Sequence, residues 1–136
     1  MKLCILFPGI GYHTDKPLLY YAKKIVRQHD YEIVEASFQK LGFDKNALQD
    51  RKMMLQAFSV VSDLVEEQLQ NVDFASYEDI IFVSKSIGTV AASVYAARKQ
   101  IPAKQIYFTP LEQTFSLMEA GSAAVGNSLV FFGTKD

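Results

Sequence analysis

The chain reads as a single three-layer α/β domain with a mainly parallel five-stranded sheet and helices on both faces. Two observations carry that reading. Five short apolar runs, residues 3–7, 31–35, 79–83, 105–108 and 128–132, have strand length and are rich in β-branched or aromatic residues. Longer amphipathic segments separate them, and strands alternating with helices imply parallel pairing through right-handed crossovers. With 136 residues and a 49% apolar share, one domain covering 1–136 can bury a sizeable core.

The elements follow in order. Lys2 is the only charge before Pro8, and the apolar run is too short for a secretory signal, so it reads as a first core strand. Residues 17–29 carry Leu18, Leu19, Ala22, Ile25 and Val26 at helical spacing, with Asp15 ahead of Pro17 as a helix start. In the long spacer 44–72, Leu55, Phe58, Val61, Val65 and Leu69 form a stripe that Met54 and Leu64 widen. Asp50, Arg51, Asp63, Glu66, Glu67 and Gln70 supply its polar side, which predicts a helix lying on the sheet rather than a cofactor box. A third helix is predicted over 87–99, ending before Pro102, and a fourth over 111–119, stopping at Gly121.

Composition narrows the function classes. Fourteen basic and fifteen acidic residues give a net charge of −1 without a basic block, which disfavours nucleic-acid or anionic-membrane partners. No stretch approaches the ~20 apolar residues of a membrane span. Cys4 is the only cysteine, so it forms no intrachain disulfide or cysteine metal cluster and is expected as a buried thiol in a cytoplasmic protein. With no His-x-x-x-His pair and no calcium-loop spacing, neither a metal nor another cofactor is expected, and the expected partner is a small-molecule substrate.

Chemistry concentrates after the third strand. Ile80-Ile81-Phe82-Val83 lead into Ser84-Lys85-Ser86-Ile87-Gly88, and a helical pattern follows. A serine on so sharp a strand-to-helix turn projects its hydroxyl beside the amides that open the helix, and small residues at 84 and 88 avoid collisions. Ligands of parallel sheets bind at the carboxyl ends of the strands. That edge gathers the loop Pro8-Gly9-Ile10-Gly11-Tyr12-His13, the Ser86 turn, Thr109-Pro110-Leu111-Glu112 and Gly133-Thr134-Lys135-Asp136. The Ile87 and Ile10 N–H groups are candidate donors to an oxyanion, each worth roughly 3–4 kcal/mol in a preorganised site. Gly9 and Gly11 serve equally as residues of a tight turn, and no third glycine completes a dinucleotide fingerprint.

This pattern resembles the α/β-hydrolase family, particularly its small lidless esterase-like members. The resemblance implies the strand order 2-1-3-4-5, with Ser86 as nucleophile, Asp136 as the triad acid in a Gly-x-x-Asp loop, and Ile10 and Ile87 as oxyanion-hole residues. Glu112 is the alternative acid, and His13, Tyr12 and Glu112 are candidate substrate contacts. The family places its general-base histidine downstream of the acid, whereas the sequence stops at Asp136. A C-terminal truncation that removes this histidine is therefore the expectation. His29 fits a solvated helix end, His13 a loop contact, and Lys85 a structural or steering role, since neighbours on such a turn point apart. Tyr20, Tyr107, Phe108 and Phe115 are pocket or core aromatics.

The function expected is hydrolysis of an ester or thioester through an acyl-enzyme at Ser86, weak or absent without the histidine. The first alternative is a non-catalytic, flavodoxin-like domain holding phosphate or a flavin at helix N-termini, for which Ser84, Ser86 and Thr89 offer hydroxyls. The second is a scaffold that keeps the hydrolase shape without turnover. A chain ending after the fifth strand leaves a bare sheet edge, through which a homodimer is the expected association.

Overall fold

The computed structural model describes residues 1–9, 17–38, 51–108 and 128–131, and for 51, 53, 54 and 128–131 the backbone alone. Strands β1 (Lys2–Phe7), β2 (Tyr31–Glu35), β3 (Asp79–Lys85) and β4 (Lys104–Phe108) form a parallel sheet in the order β2-β1-β3-β4. Lys2 stands opposite both Tyr31 and Asp79, and Ile81 stands opposite Lys104. The backbone of Ser128–Phe131 (β5) runs parallel beside β4, with Ser128 opposite Gln105.

Side chains alternate across the sheet and define two apolar layers. Leu3, Ile5, Phe7 and Phe82 pack with Ala57, Val61 and Val65 of α2 (Arg51–Gln68) and with Ala91, Ala92 and Tyr95 of α3 (Ile87–Lys99). Cys4, Leu6 and Val83 face the other way, onto Leu19 and Val26 of α1 (Pro17–Gln28). Leu3 through Phe7 are fully buried, so β1 is covered on both sides, which explains its unbroken apolar run. The Phe7 and Phe82 rings meet at 5.1 Å, and burying each side chain contributes about 1.5–3 kcal/mol.

Some expectations shift. β3 extends through Ser84 and Lys85 because both remain paired with β4, opposite Tyr107 and Phe108. The second helix ends at Gln68, and a short 3-10 turn, Phe74–Ser76, occupies the approach to β3. Leu55 does not join the buried stripe and is 58% exposed. Ala57 takes the core line instead, spaced by fours with Val61, Val65 and Leu69. Two residues of helix separate Leu55 from Ala57, about 200° of rotation, so the two face apart. The predicted fourth helix, 111–119, lies outside the described residues.

Cys4 is buried, and loss of solvent pushes its thiol up to about 12. Among the described residues no helix is long and apolar enough to cross a membrane.

The order β2-β1-β3-β4 fixes where a ligand fits. From β1 the chain moves outward to β2, then returns past β1 to build β3 and β4. Connections therefore diverge at the carboxyl ends of β1 and β3, which opens a crevice there.

Candidate active site

Ser86 stands in that crevice, as the single residue between the end of β3 and the first turn of α3. Its backbone has φ 55° and ψ −122°. Asp30 and Gln100 also have positive φ, but each follows the end of a helix, and Gln100 has the ordinary left-handed ψ of 45°. The Ser86 angles instead match the first central position of a type II′ turn, which glycine dominates. Holding a serine there costs of order 1–3 kcal/mol.

The neighbouring structure fastens the bend from both sides. The Ser86 N–H donates to the Phe108 carbonyl of β4 at 3.1 Å, extending the β3–β4 ladder by one bond. The Ser86 carbonyl accepts from the Thr89 N–H at 3.0 Å and from Thr89 Oγ1 at 2.6 Å. The Ser86 side chain makes no cap bond to the helix, and the residue is half-buried. Among the described residues its hydroxyl has no hydrogen-bond partner, while its peptide groups are firmly engaged.

The two small flanking residues have separate reasons. Gly88 lies directly on the end of β1. A Cβ there would come within 2.5 Å of the Phe7 carbonyl oxygen and 2.9 Å of its carbon, and closer still to the Pro8 oxygen. Ser84 is fully buried, and its hydroxyl reaches the Ile106 carbonyl at 3.4 Å. The Gly88 contact also places the loop after β1 against the N-terminus of α3. Pro8 and Gly9 are both buried there.

Ile87 anchors the first turn, with its side chain fully buried in the core below the helix. Its N–H is one of the orphan donors that open any helix, and among the described residues it has no backbone acceptor. Such a donor, aimed from a helix N-terminus beside a serine hydroxyl, favours developing negative charge.

Other expected residues divide sharply. Ile10, Tyr12, His13, Glu112, Phe115 and Asp136 lie outside the described residues. His29 is exposed after the last turn of α1, at the amino end of the sheet and so remote from Ser86. Lys85 faces the α1 layer one position before Ser86, opposite Phe108. Tyr107 is a core residue and not a pocket aromatic: it is fully buried, and its hydroxyl shares a 2.7 Å hydrogen bond with Ser93 Oγ. Phe108 is half-buried against the α1 layer, and Tyr20 is exposed on α1. A separate cleft of about 680 Å³, lined by Leu69, Phe74, Tyr77, Tyr95 and Ile101 among others, opens near the starts of β3 and β4, away from Ser86.

Two contributions to the site were not anticipated. The Gly88–Pro8 approach joins residues eighty positions apart, which no local pattern signals. The pair of hydrogen bonds that Thr89 donates to the Ser86 carbonyl does have a signal, a hydroxyl residue three places after the turn, which can bond the carbonyl three residues back.

Compared with family models, with curated proteins and with solved structures, the chain has no match in any of the three.

Proposed function

We propose that this chain carries the nucleophile half of a serine hydrolase of the α/β-hydrolase type, acting on an ester or thioester. In this reading Ser86 Oγ attacks the carbonyl carbon while a histidine imidazole takes its proton. The resulting oxyanion is held by the Ile87 N–H and by the Ile10 N–H of the loop after β1. The carbon–oxygen or carbon–sulfur bond then breaks, the histidine returns the proton to the leaving group, and water releases the acyl group by the same steps. Asp136 orients the histidine, and Glu112 is the alternative acid. His29 is remote from Ser86, so the reading assigns the base to a histidine outside the described residues, which the family resemblance puts downstream of Asp136. The same resemblance implies a five-stranded sheet in the order 2-1-3-4-5, and the parallel pairing of Ser128–Phe131 with β4 supports it.

One observation carries the proposal: a non-glycine residue is kept at φ 55°, ψ −122° at a helix N-terminus, with no hydrogen bond of its hydroxyl among the described residues. Strain of this kind persists where surrounding structure over-determines it, and it clusters at active sites. The phosphate-binding alternative loses support at the same place. Ser84 and Thr89 are fully buried with hydroxyls turned to main-chain carbonyls, leaving Ser86 alone of the three for a ligand.

The test is covalent. On a chain extended past residue 136, so that the downstream histidine is included, a fluorophosphonate probe should add covalently, peptide mass mapping should place the adduct on Ser86, and Ser86→Ala should abolish it. Absence of an adduct, or an adduct elsewhere that survives Ser86→Ala, would contradict the proposal.

A further inference from the structure

We propose that Thr89 is a positioning residue, whose hydroxyl aims the Ile87 N–H at the oxyanion; this rests on the serine-hydrolase reading above. The argument begins with one peptide unit. The Ser86–Ile87 bond is trans, as are all the peptide bonds described, so the Ser86 carbonyl and the Ile87 N–H point in opposite directions in one plane. Whatever fixes the carbonyl therefore fixes the donor.

Two groups of a single residue fix it. The Thr89 N–H reaches the Ser86 oxygen at 3.0 Å, and Thr89 Oγ1 reaches the same oxygen at 2.6 Å. A main-chain bond alone lets the first turn of a helix fray or tilt, because no earlier turn supports it. A second donor on the same oxygen removes that freedom. Thr89 is fully buried, so water does not compete for its hydroxyl.

A second consequence is electronic. Hydrogen bonds in a chain polarise one another, with condensed-phase strengthening of about 10–30% per bond. Two bonds to the Ser86 carbonyl draw charge toward its oxygen and leave the Ile87 N–H a better donor. Ordinary back-bonding by a helical threonine explains the Oγ1 contact as a structural feature. It does not predict any link between that hydroxyl and the reactivity of Ser86, and the proposal does.

The experiment measures the second-order rate of fluorophosphonate labelling at Ser86 in the chain extended past residue 136, beside thermal unfolding. Thr89→Val and Thr89→Ala delete the hydroxyl, with and without its volume, and Thr89→Ser restores it. Loss of an entire oxyanion donor costs 10²–10³ in rate, and a misaimed donor should cost about tenfold. The expected result is about tenfold slower labelling in both deletions and a rate within twofold of the parent in Thr89→Ser. Probe affinity, read from the saturation of the rate, should stay unchanged. If the deletions lower the melting temperature yet label at the parent rate, Thr89 is structural only and the proposal fails while the hydrolase reading stands. If the parent does not label at Ser86, the hydrolase reading fails and takes the positioning role with it. Should Thr89→Val fail to fold, Thr89→Ala against Thr89→Ser decides the question.

Discussion

The two ends of this sheet are built on opposite terms. At the amino end, side chains satisfy one another: the Tyr31 hydroxyl donates to the Asp79 carboxylate, and Lys104 pairs with Asp79 at 3.5 Å. Lys2 lies 5.5 Å from the centre of the Tyr31 ring, and the Tyr77 hydroxyl donates to Glu32 at 2.6 Å. At the carboxyl end, a serine is bent into glycine's territory and a helix is pressed onto two main-chain carbonyls. One end is relaxed and neutralised; the other holds strain and, among the described residues, gives the Ser86 hydroxyl and the Ile87 N–H no hydrogen-bond partner. Strain of this kind clusters at functional sites, and that contrast is what supports the proposed site at Ser86.

Substitution at Gly88 should break that contrast most severely. Replacing a helical glycine by alanine ordinarily gains about 1 kcal/mol of helix propensity. Here the new methyl would meet the Phe7 and Pro8 carbonyls, which are main chain and cannot swing aside. Gly88→Ala should therefore destabilise by about 3 kcal/mol in urea unfolding, an overpacking effect. A gain in stability would mean that the helix does not press on β1.

The buried Ser93–Tyr107 bond is a control for core packing, since it joins α3 to β4 without a bond to Ser86. Tyr107→Phe should cost about 1–2 kcal/mol, because it leaves the Ser93 hydroxyl buried without its partner. Adding Ser93→Ala should recover part of that loss in a double-mutant cycle. Strict additivity would show that the two hydroxyls do not interact.

The amino end should reveal itself through pH, with smaller effects. The hydrogen bond from Tyr31 holds the Asp79 carboxyl below its usual value, with Lys104 adding to the shift. That contribution is complete above the ordinary carboxylate range and is lost as pH falls through the depressed value. Burial, then the Asp79 bond and charge, push Tyr31 up to about 12 from an ordinary 10.0. Its contribution is present below pH 10 and disappears as pH rises toward about 12. The advantage of the parent over Tyr31→Phe in urea midpoint should therefore be largest and constant between these limits, and should shrink as pH falls below the carboxylate range or rises toward about 12. Parallel curves would refute the pairing.

The fold was legible wherever burial and periodicity agreed. Both Tyr31–Glu35 and Ile87–Lys99 have the predicted ends, because a turn or a proline-bearing loop closes each pattern. Legibility failed where small or polar residues carry the structure. Ala57 went uncounted because its methyl adds little to an apolar pattern, yet close helix packing prefers it to Leu55. Ser84 and Lys85 ended the hydrophobic run but not the backbone ladder. At the site, the sequence suggested the bend, since serine between small residues after a strand has few other uses. It could not show that Gly88 is small because of Pro8, nor that Thr89 turns its hydroxyl inward, since both depend on atoms brought together only by folding.

The central claim is that residue 86 is kept under strain for the sake of its hydroxyl. It is tested most directly by comparing the unfolding free energies of Ser86→Gly and Ser86→Ala. Glycine adopts the observed angles freely, whereas alanine keeps the steric cost and lacks the hydroxyl, so neither variant should label with the probe. After allowance for the greater freedom of glycine in the unfolded chain, Ser86→Gly should be about 1 kcal/mol more stable than Ser86→Ala. A glycine variant less stable than the alanine variant would mean that the bend carries no strain, and the account would fail there.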